Sequence, residues 1–207
     1  MENKQVKNQN YGIIENCIDD NLIKLLSTTL KNKATPITMV HANTWVSNKN
    51  FNFFPILEKL ILNAIGEYFH KMKIGMLTYT EATENYGCHF DDYQTYRWGE
   101  PYLSILLPIT EHADLKTFIF DVRSTKNSVN PDVQTSPLEL IKNRKSGESC
   151  FQPGMEHINH NLLNKIKLLG ILPWKKNGLV YWDQFLLHAS CNFQNKKFII
   201  IHTIRDE

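Results

Sequence analysis

No two of the four cysteines stand close enough to form a Cys-x-x-Cys pair; Cys17, Cys88, Cys150 and Cys191 are scattered along 207 residues. That spacing argues against a disulfide framework and against a zinc ribbon, and it fits reduced thiols in a cytoplasmic protein. Long apolar runs are missing as well. None approaches the ~20 residues that a bilayer-spanning helix needs. Residues 1–10, MENKQVKNQN, hold no apolar segment of the kind a secretory signal carries. The expectation is a soluble, cytoplasmic chain with no membrane partner. An excess of one charge is also lacking: 23 Lys and Arg stand against 21 Asp and Glu, a formal net charge of +2. No basic stripe with interleaved aromatics is present, so nucleic acid is not an expected partner. No internal repeat is found.

Hydrophobic residues make up 42% and charged residues 21%, the balance of an ordinary globular domain. Residues 1–10 read as a flexible polar tail, and 11–207 as a single domain with one sizeable core. Asp19 or Asp20 can cap a helix through NLIKLLSTTLKN, with Leu22, Leu25, Leu26 and Leu30 at helical spacing. Residues 34–50 are rich in Thr, Asn and Ser and read as loop with some extended segments. Pro55 opens a second predicted helix, PILEKLILNAIGEYFHKM.

After about residue 73 the texture becomes short and β-rich. Strands are predicted near 74–80, 85–90, 102–109, 116–121, 178–182, 185–190 and 197–204. Helices first and many short strands later predict a mainly β fold, a sandwich or barrel with supporting helices on one face. Residues 122–173 break the pattern and read as an insertion or lid with helical candidates PLELIKNRK and EHINHNLLNKIKLLG.

The sharpest chemical signal is CHFDDY at 88–93. On a strand, residues two apart face the same way, so His89 and Asp91 can share one metal ion while Asp92 points elsewhere. A second histidine would complete a facial triad of two His and one carboxylate. Such a triad leaves three positions open, as iron(II) oxygenases require. His188 lies 188 − 89 = 99 residues further on, in GLVYWDQFLLHASCNFQNKKFIII. The lysines that follow it can pair with the far carboxylate of a dicarboxylic cosubstrate. His157 and His160, three apart in EHINH, read as imidazoles of a lid helix rather than a second metal site.

These stretches resemble the 2-oxoglutarate- and iron(II)-dependent dioxygenase superfamily, in particular its prolyl-4-hydroxylase-like branch. The likeness is carried by YGIIENCIDDNLIKLL, LTYTEATENYGCHFDDY, YLSILLPIT and WKKNGLVYWDQFLLHASCNFQNKKFIIIHTI. It covers most of 11–120 and 174–204 and leaves out the insertion. The resemblance implies a double-stranded β-helix core, jelly-roll and cupin-like. It implies His89, Asp91 and His188 as ligands to Fe(II), and 2-oxoglutarate and O2 as cosubstrates. It implies Lys197, or else Lys196, as the cation for the cosubstrate and Tyr79 as its hydroxyl partner. Tyr86, Arg97 and Trp98 are the substrate-side residues it points to. The implied activity is hydroxylation of an unactivated C–H bond in a small molecule or amino-acid side chain, with release of succinate and CO2. Asp91 leaves no ligand position for a halide, which disfavours halogenation. The competing readings are a non-catalytic metal- or ligand-binding cupin-like barrel and a zinc hydrolase.

Overall fold

The computed structural model describes residues 10–39, 42–69, 72–85, 87–91, 99–110, 114–124, 136–191 and 195–206. In chain order the elements are β1 (Tyr11–Ile14), α1 (Asp20–Lys33), β2 (Thr35–Met39), β3 (Ala42–Asn48), α2 (Phe54–Ile65), β4 (Met72–Ala82), β5 (Pro101–Pro108) and β6 (Lys116–Arg123). They continue with α3 (Pro137–Ile141), α4 (His160–Leu163), β7 (Leu168–Pro173), β8 (Leu179–Asp183), β9 (Leu186–Ser190) and β10 (Lys197–Arg205).

Seven strands form a major sheet in the order β1-β8-β5-β10-β4-β3-β2, and three form a minor sheet in the order β7-β6-β9. All pairings are antiparallel. From β5 onward the chain passes from the major sheet to the minor, back at β8, across at β9 and back at β10. That path is the double-stranded β-helix.

Strands β8, β5 and β10 of the major sheet alternate between two cores. One face carries Leu77, Ile105 and Ile199 and is covered by Leu26 and Leu30 of α1 and Ile61 and Ile65 of α2. The other face, with Leu106, Val180, Trp182 and Phe198, meets Ile119 and Leu186 of the minor sheet. A third core lies on the outer side of the minor sheet. There Phe118 and Phe120 pack with Ile141, Met155, Leu163 and Ile166.

Several local expectations are sharpened or corrected. Helix α1 is capped by Asp19, whose carboxylate accepts from the Leu22 N–H at 2.8 Å. Its buried stripe is Ile23, Leu26 and Leu30, while Leu25 faces solvent. Helix α2 stops at Ile65, where the Gly66 N–H closes on the Leu62 carbonyl, well short of the predicted end. Within residues 34–50, read as loop with some extended segments, 35–39 and 42–48 are the extended parts and form β2 and β3. Their composition suits strands once β4 pairs with β3 and β3 in turn pairs with β2.

The insertion is also narrower than predicted. β6 runs to Arg123 and β7 occupies 168–173, so it spans 124–167. LLGILP is too short for periodicity to separate helix from strand, and pairing with β6 decides the matter. The described part of the insertion packs against the outer face of the minor sheet. Arg144 grips both carboxylate oxygens of Asp121, at 2.9 and 3.0 Å, and the Lys167 N–H donates to the same group at 2.8 Å. His157 and His160 do not share a helix face, because α4 begins only at His160. His157 lines a cleft of about 390 Å³ with Lys116, Gly154, Glu156 and Cys191.

Candidate metal centre

The segment carrying His89 joins the minor sheet through a single antiparallel bridge to β9. The His89 N–H donates to the His188 carbonyl at 3.0 Å, and the His188 N–H donates to the His89 carbonyl at 3.1 Å. Two residues on, the Asp91 N–H donates to the Gln184 carbonyl at 3.1 Å. These backbone bonds bring together residues from distant parts of the chain. One ligand atom from each of His89, Asp91 and His188 lies within 4.8 Å of the others.

The ring orientations follow from simple valence. His89 Nδ1 lies 2.9 Å from the Gly87 carbonyl, and His188 Nδ1 lies 3.0 Å from the Leu186 carbonyl. A carbonyl only accepts, so each Nδ1 carries a proton, and in the neutral ring each Nε2 then presents a lone pair. His89 Nε2 is 3.7 Å from Asp91 Oδ1, and His188 Nε2 is 3.5 Å from Asp91 Oδ2. Both separations exceed a good hydrogen bond. Lone pairs and a carboxylate facing one another across such a gap are a donor set for a cation, and two imidazoles with one carboxylate fit iron(II).

The protonation states agree with that fit. Burial alone would push the Asp91 carboxyl up, but His188, His202, His89 and the Ser104 hydroxyl outweigh it and hold it at about 2. Burial pushes the His188 imidazole down to about 4 against the pull of Asp91. At neutral pH the carboxylate is ionised and the imidazole neutral, as ligation requires.

Three further residues crowd the carboxylate. Ser104 Oγ lies 2.6 Å and Trp182 Nε1 lies 3.1 Å from Asp91 Oδ2. His202 Nδ1 lies 3.2 Å from Ser104 Oγ. In the sequence alone His202, in the terminal apolar strand, reads as a hydrogen-bonded barrel residue, and Ser104 does not stand out as part of the site. A signal existed: Ser104 interrupts the apolar strand YLSILLP, and His202 follows the apolar run FIII.

The structure does not bring Tyr79 or Lys197 to this set. The register places Lys197 opposite Glu81 and Ile199 opposite Tyr79, so all four share the helix-facing side of the major sheet. There the Tyr79 hydroxyl donates to Glu81 at 2.6 Å, and Lys31 of α1 and Lys197 lie 2.7 and 3.6 Å from the same carboxylate. Lys196, one residue earlier, is half-buried, and its carbonyl accepts from the Ala82 N–H at 2.9 Å. Ala82 belongs to the core between the sheets, on the metal-set side. Asp92, Tyr86, Arg97 and Trp98 lie outside the described residues.

No protein-family profile and no curated protein matches the chain. Solved structures do. The fold is similar to an oxidoreductase of the 2OG-Fe(II) oxygenase family from Burkholderia pseudomallei, with a TM-score of 0.54 and 8% identity over 95% of this chain and 84% of that one. It is similar to the non-haem alpha-ketoglutarate-dependent epimerase SnoN of nogalamycin biosynthesis, with a TM-score of 0.54 and 7% identity over 95% and 78% of the two chains. It is also similar to HygX from Streptomyces hygroscopicus, solved with nickel, 2-oxoglutarate and hygromycin B, with a TM-score of 0.53 and 10% identity over 95% and 82%. At such identities the likeness is one of fold. The chain thus has the double-stranded β-helix fold of the 2-oxoglutarate- and iron(II)-dependent oxygenases, and its His89, Asp91 and His188 fit an iron(II) site.

Proposed function

We propose that the protein is an iron(II)- and 2-oxoglutarate-dependent oxygenase that hydroxylates an unactivated C–H bond of a small molecule or amino-acid-like substrate in the cytoplasm. The observation that carries this reading is the convergence of two imidazole lone pairs and one ionised carboxylate, with both rings oriented by backbone carbonyls. Iron(II) with 2-oxoglutarate supplies, when bound, an oxidation by O2 in which the cosubstrate is lost as succinate and CO2.

The chain's own contribution is to hold and shield. His89 Nε2, His188 Nε2 and Asp91 would hold the ion and leave the rest of its coordination shell open. Lys196 is the better cation for the far carboxylate of the cosubstrate, since strand alternation turns it to the side of Ala82 and Phe198. Leu106, Ile119 and Val180 line the same inter-sheet space and exclude water from it, which strengthens every charge interaction there. No helix among the described residues is long and apolar enough to cross a membrane.

One observation favours the non-catalytic barrel instead. Tyr79 and Lys197, which the resemblance implies as partners of the cosubstrate, lie on the helix side with Glu81. Anaerobic thermal melts separate the two readings. An oxygenase should melt higher with iron(II) plus 2-oxoglutarate than with iron(II) alone, by ligand linkage. It should then release succinate in a screen of metabolite pools under air. No added stabilisation by 2-oxoglutarate would sink the oxygenase reading and leave the barrel.

A further inference from the structure

Trp182, Ser104 and His202 form one row across three neighbouring strands. Trp182 of β8 stands opposite Ser104 of β5, and Ser104 stands opposite His202 of β10. All three side chains are buried. None of the three is among the candidate metal ligands, and each costs free energy in the interior unless it is hydrogen-bonded.

The direction of every bond in the row follows from valence. An ionised Asp91 only accepts. The Ser104 hydroxyl therefore donates to Oδ2 at 2.6 Å, and the Trp182 indole N–H donates to the same oxygen at 3.1 Å. Ser104 has then used its one proton, so its oxygen can only accept from His202, 3.2 Å away. His202 must carry a proton on Nδ1. His188 Nε2, 3.5 Å from Oδ2, is too far and holds no proton to compete.

We infer that Ser104, Trp182 and His202 are positioning residues that occupy Oδ2 of Asp91, so that Asp91 offers the metal Oδ1 alone. His202 acts at one remove, by fixing the rotor of the Ser104 hydroxyl. The inference rests on the reading of His89, Asp91 and His188 as metal ligands. Its consequence is a coordination count. A carboxylate that binds through both oxygens takes an extra position, whereas one held through Oδ1 keeps three positions for a bidentate cosubstrate and dioxygen. The short Ser104 bond to a charged acceptor is of the strong kind.

Two measurements test this. The first uses the wild-type protein without metal: long-range 1H–15N NMR of His202. A proton on Nδ1 is expected, and an Nδ1 without one overturns the inference. The second is anaerobic titration with Co(II), a stand-in for iron(II), read by visible absorption and calorimetry. Ser104→Ala and His202→Phe should each weaken Co(II) binding by about 10–100-fold, the range for lost outer partners of a metal ligand, and alter the Co(II) spectrum. His202→Asn keeps an N–H near the Nδ1 position and should restore both. Wild-type affinity and spectrum in all variants would overturn the inference, as would equal weakening by His202→Phe and His202→Asn. Should Ser104→Ala fail to fold, the NMR result and the two His202 variants decide. Wild-type protein that takes up no Co(II) would overturn the metal reading and this inference with it. Uptake by wild type with matching variants would overturn the inference alone.

Discussion

His188 ties chemistry to stability in this protein. Burial pushes its imidazole from 6.5 down to about 4, with Asp91 opposing, and burial pushes His202 down as well. The unfolded chain takes up these protons near the ordinary histidine value, while folded His188 does not until pH nears 4 and folded His202 protonates only below its ordinary value. Between those points the unfolded state binds more protons, so stability rises with pH and is lost as pH falls. Metal-free protein should therefore unfold at lower urea at pH ~5 than at pH ~7, and His188→Gln should narrow that gap. An unchanged gap would count against a buried neutral His188. The lysine pair gives a second residue-scale prediction. Lys196→Ala should raise the 2-oxoglutarate needed for half-maximal thermal stabilisation by about tenfold or more, the loss of one charge-assisted contact. Lys197→Ala should leave it near wild type, because that lysine answers to Glu81. The reverse result would restore Lys197 as the cosubstrate cation.

Elements differ in how legible they were. His89 and Asp91 could be read because a spacing of two on extended backbone needs no knowledge of the partner strand. The choice between Lys196 and Lys197 could not, because it depends on the register of β10 against β4, which places Lys197 with Glu81. Strands β2, β3 and β7 were hidden for a related reason. Their composition is compatible with strand, but pairing decides it: β4 with β3, β3 with β2 and β6 with β7. Buried apolar helix stripes were easier, since Leu26 and Leu30 sit at helical spacing on an amphipathic face. The insertion shows what sequence hides most. Its length invited the idea of a lid, whereas its described residues cover the outer face of the minor sheet. Gly154 marks the closest approach. It has φ +98°, and an added Cβ would lie 2.7 Å from Cys191 Cβ on the strand side. Gly154→Ala should cost about 1–3 kcal/mol in urea unfolding through strain and clash, while leaving Co(II) affinity within about twofold. A large loss of metal binding would mean that the outer layer also shapes the centre.

At the scale of the whole molecule the pairing of β10 matters most. It lies between β4 and β5, with both of its edges hydrogen-bonded. Ile199 and Ile201 enter the helix-side core, Phe198 enters the inter-sheet core, and His202 reaches the carboxylate row. Hydrogen exchange should be slowest in β10 and in the strands beside it, where opening requires global unfolding. Rapid exchange in β10 with protection elsewhere would contradict this.

The central place of β10 has a consequence for how the centre is filled. His89 and His188 meet through backbone bonds across 188 − 89 = 99 residues, and the strand that completes the barrel is the last of the ten in sequence. A chain emerging from the ribosome thus presents His89 and Asp91 long before their partner exists. On the reading of His89, Asp91 and His188 as ligands, iron loading is expected to follow synthesis of β10 rather than to template the fold. A ribosome-stalled chain that exposes residues only up to the end of β9 should capture no metal, although it already carries all three donors.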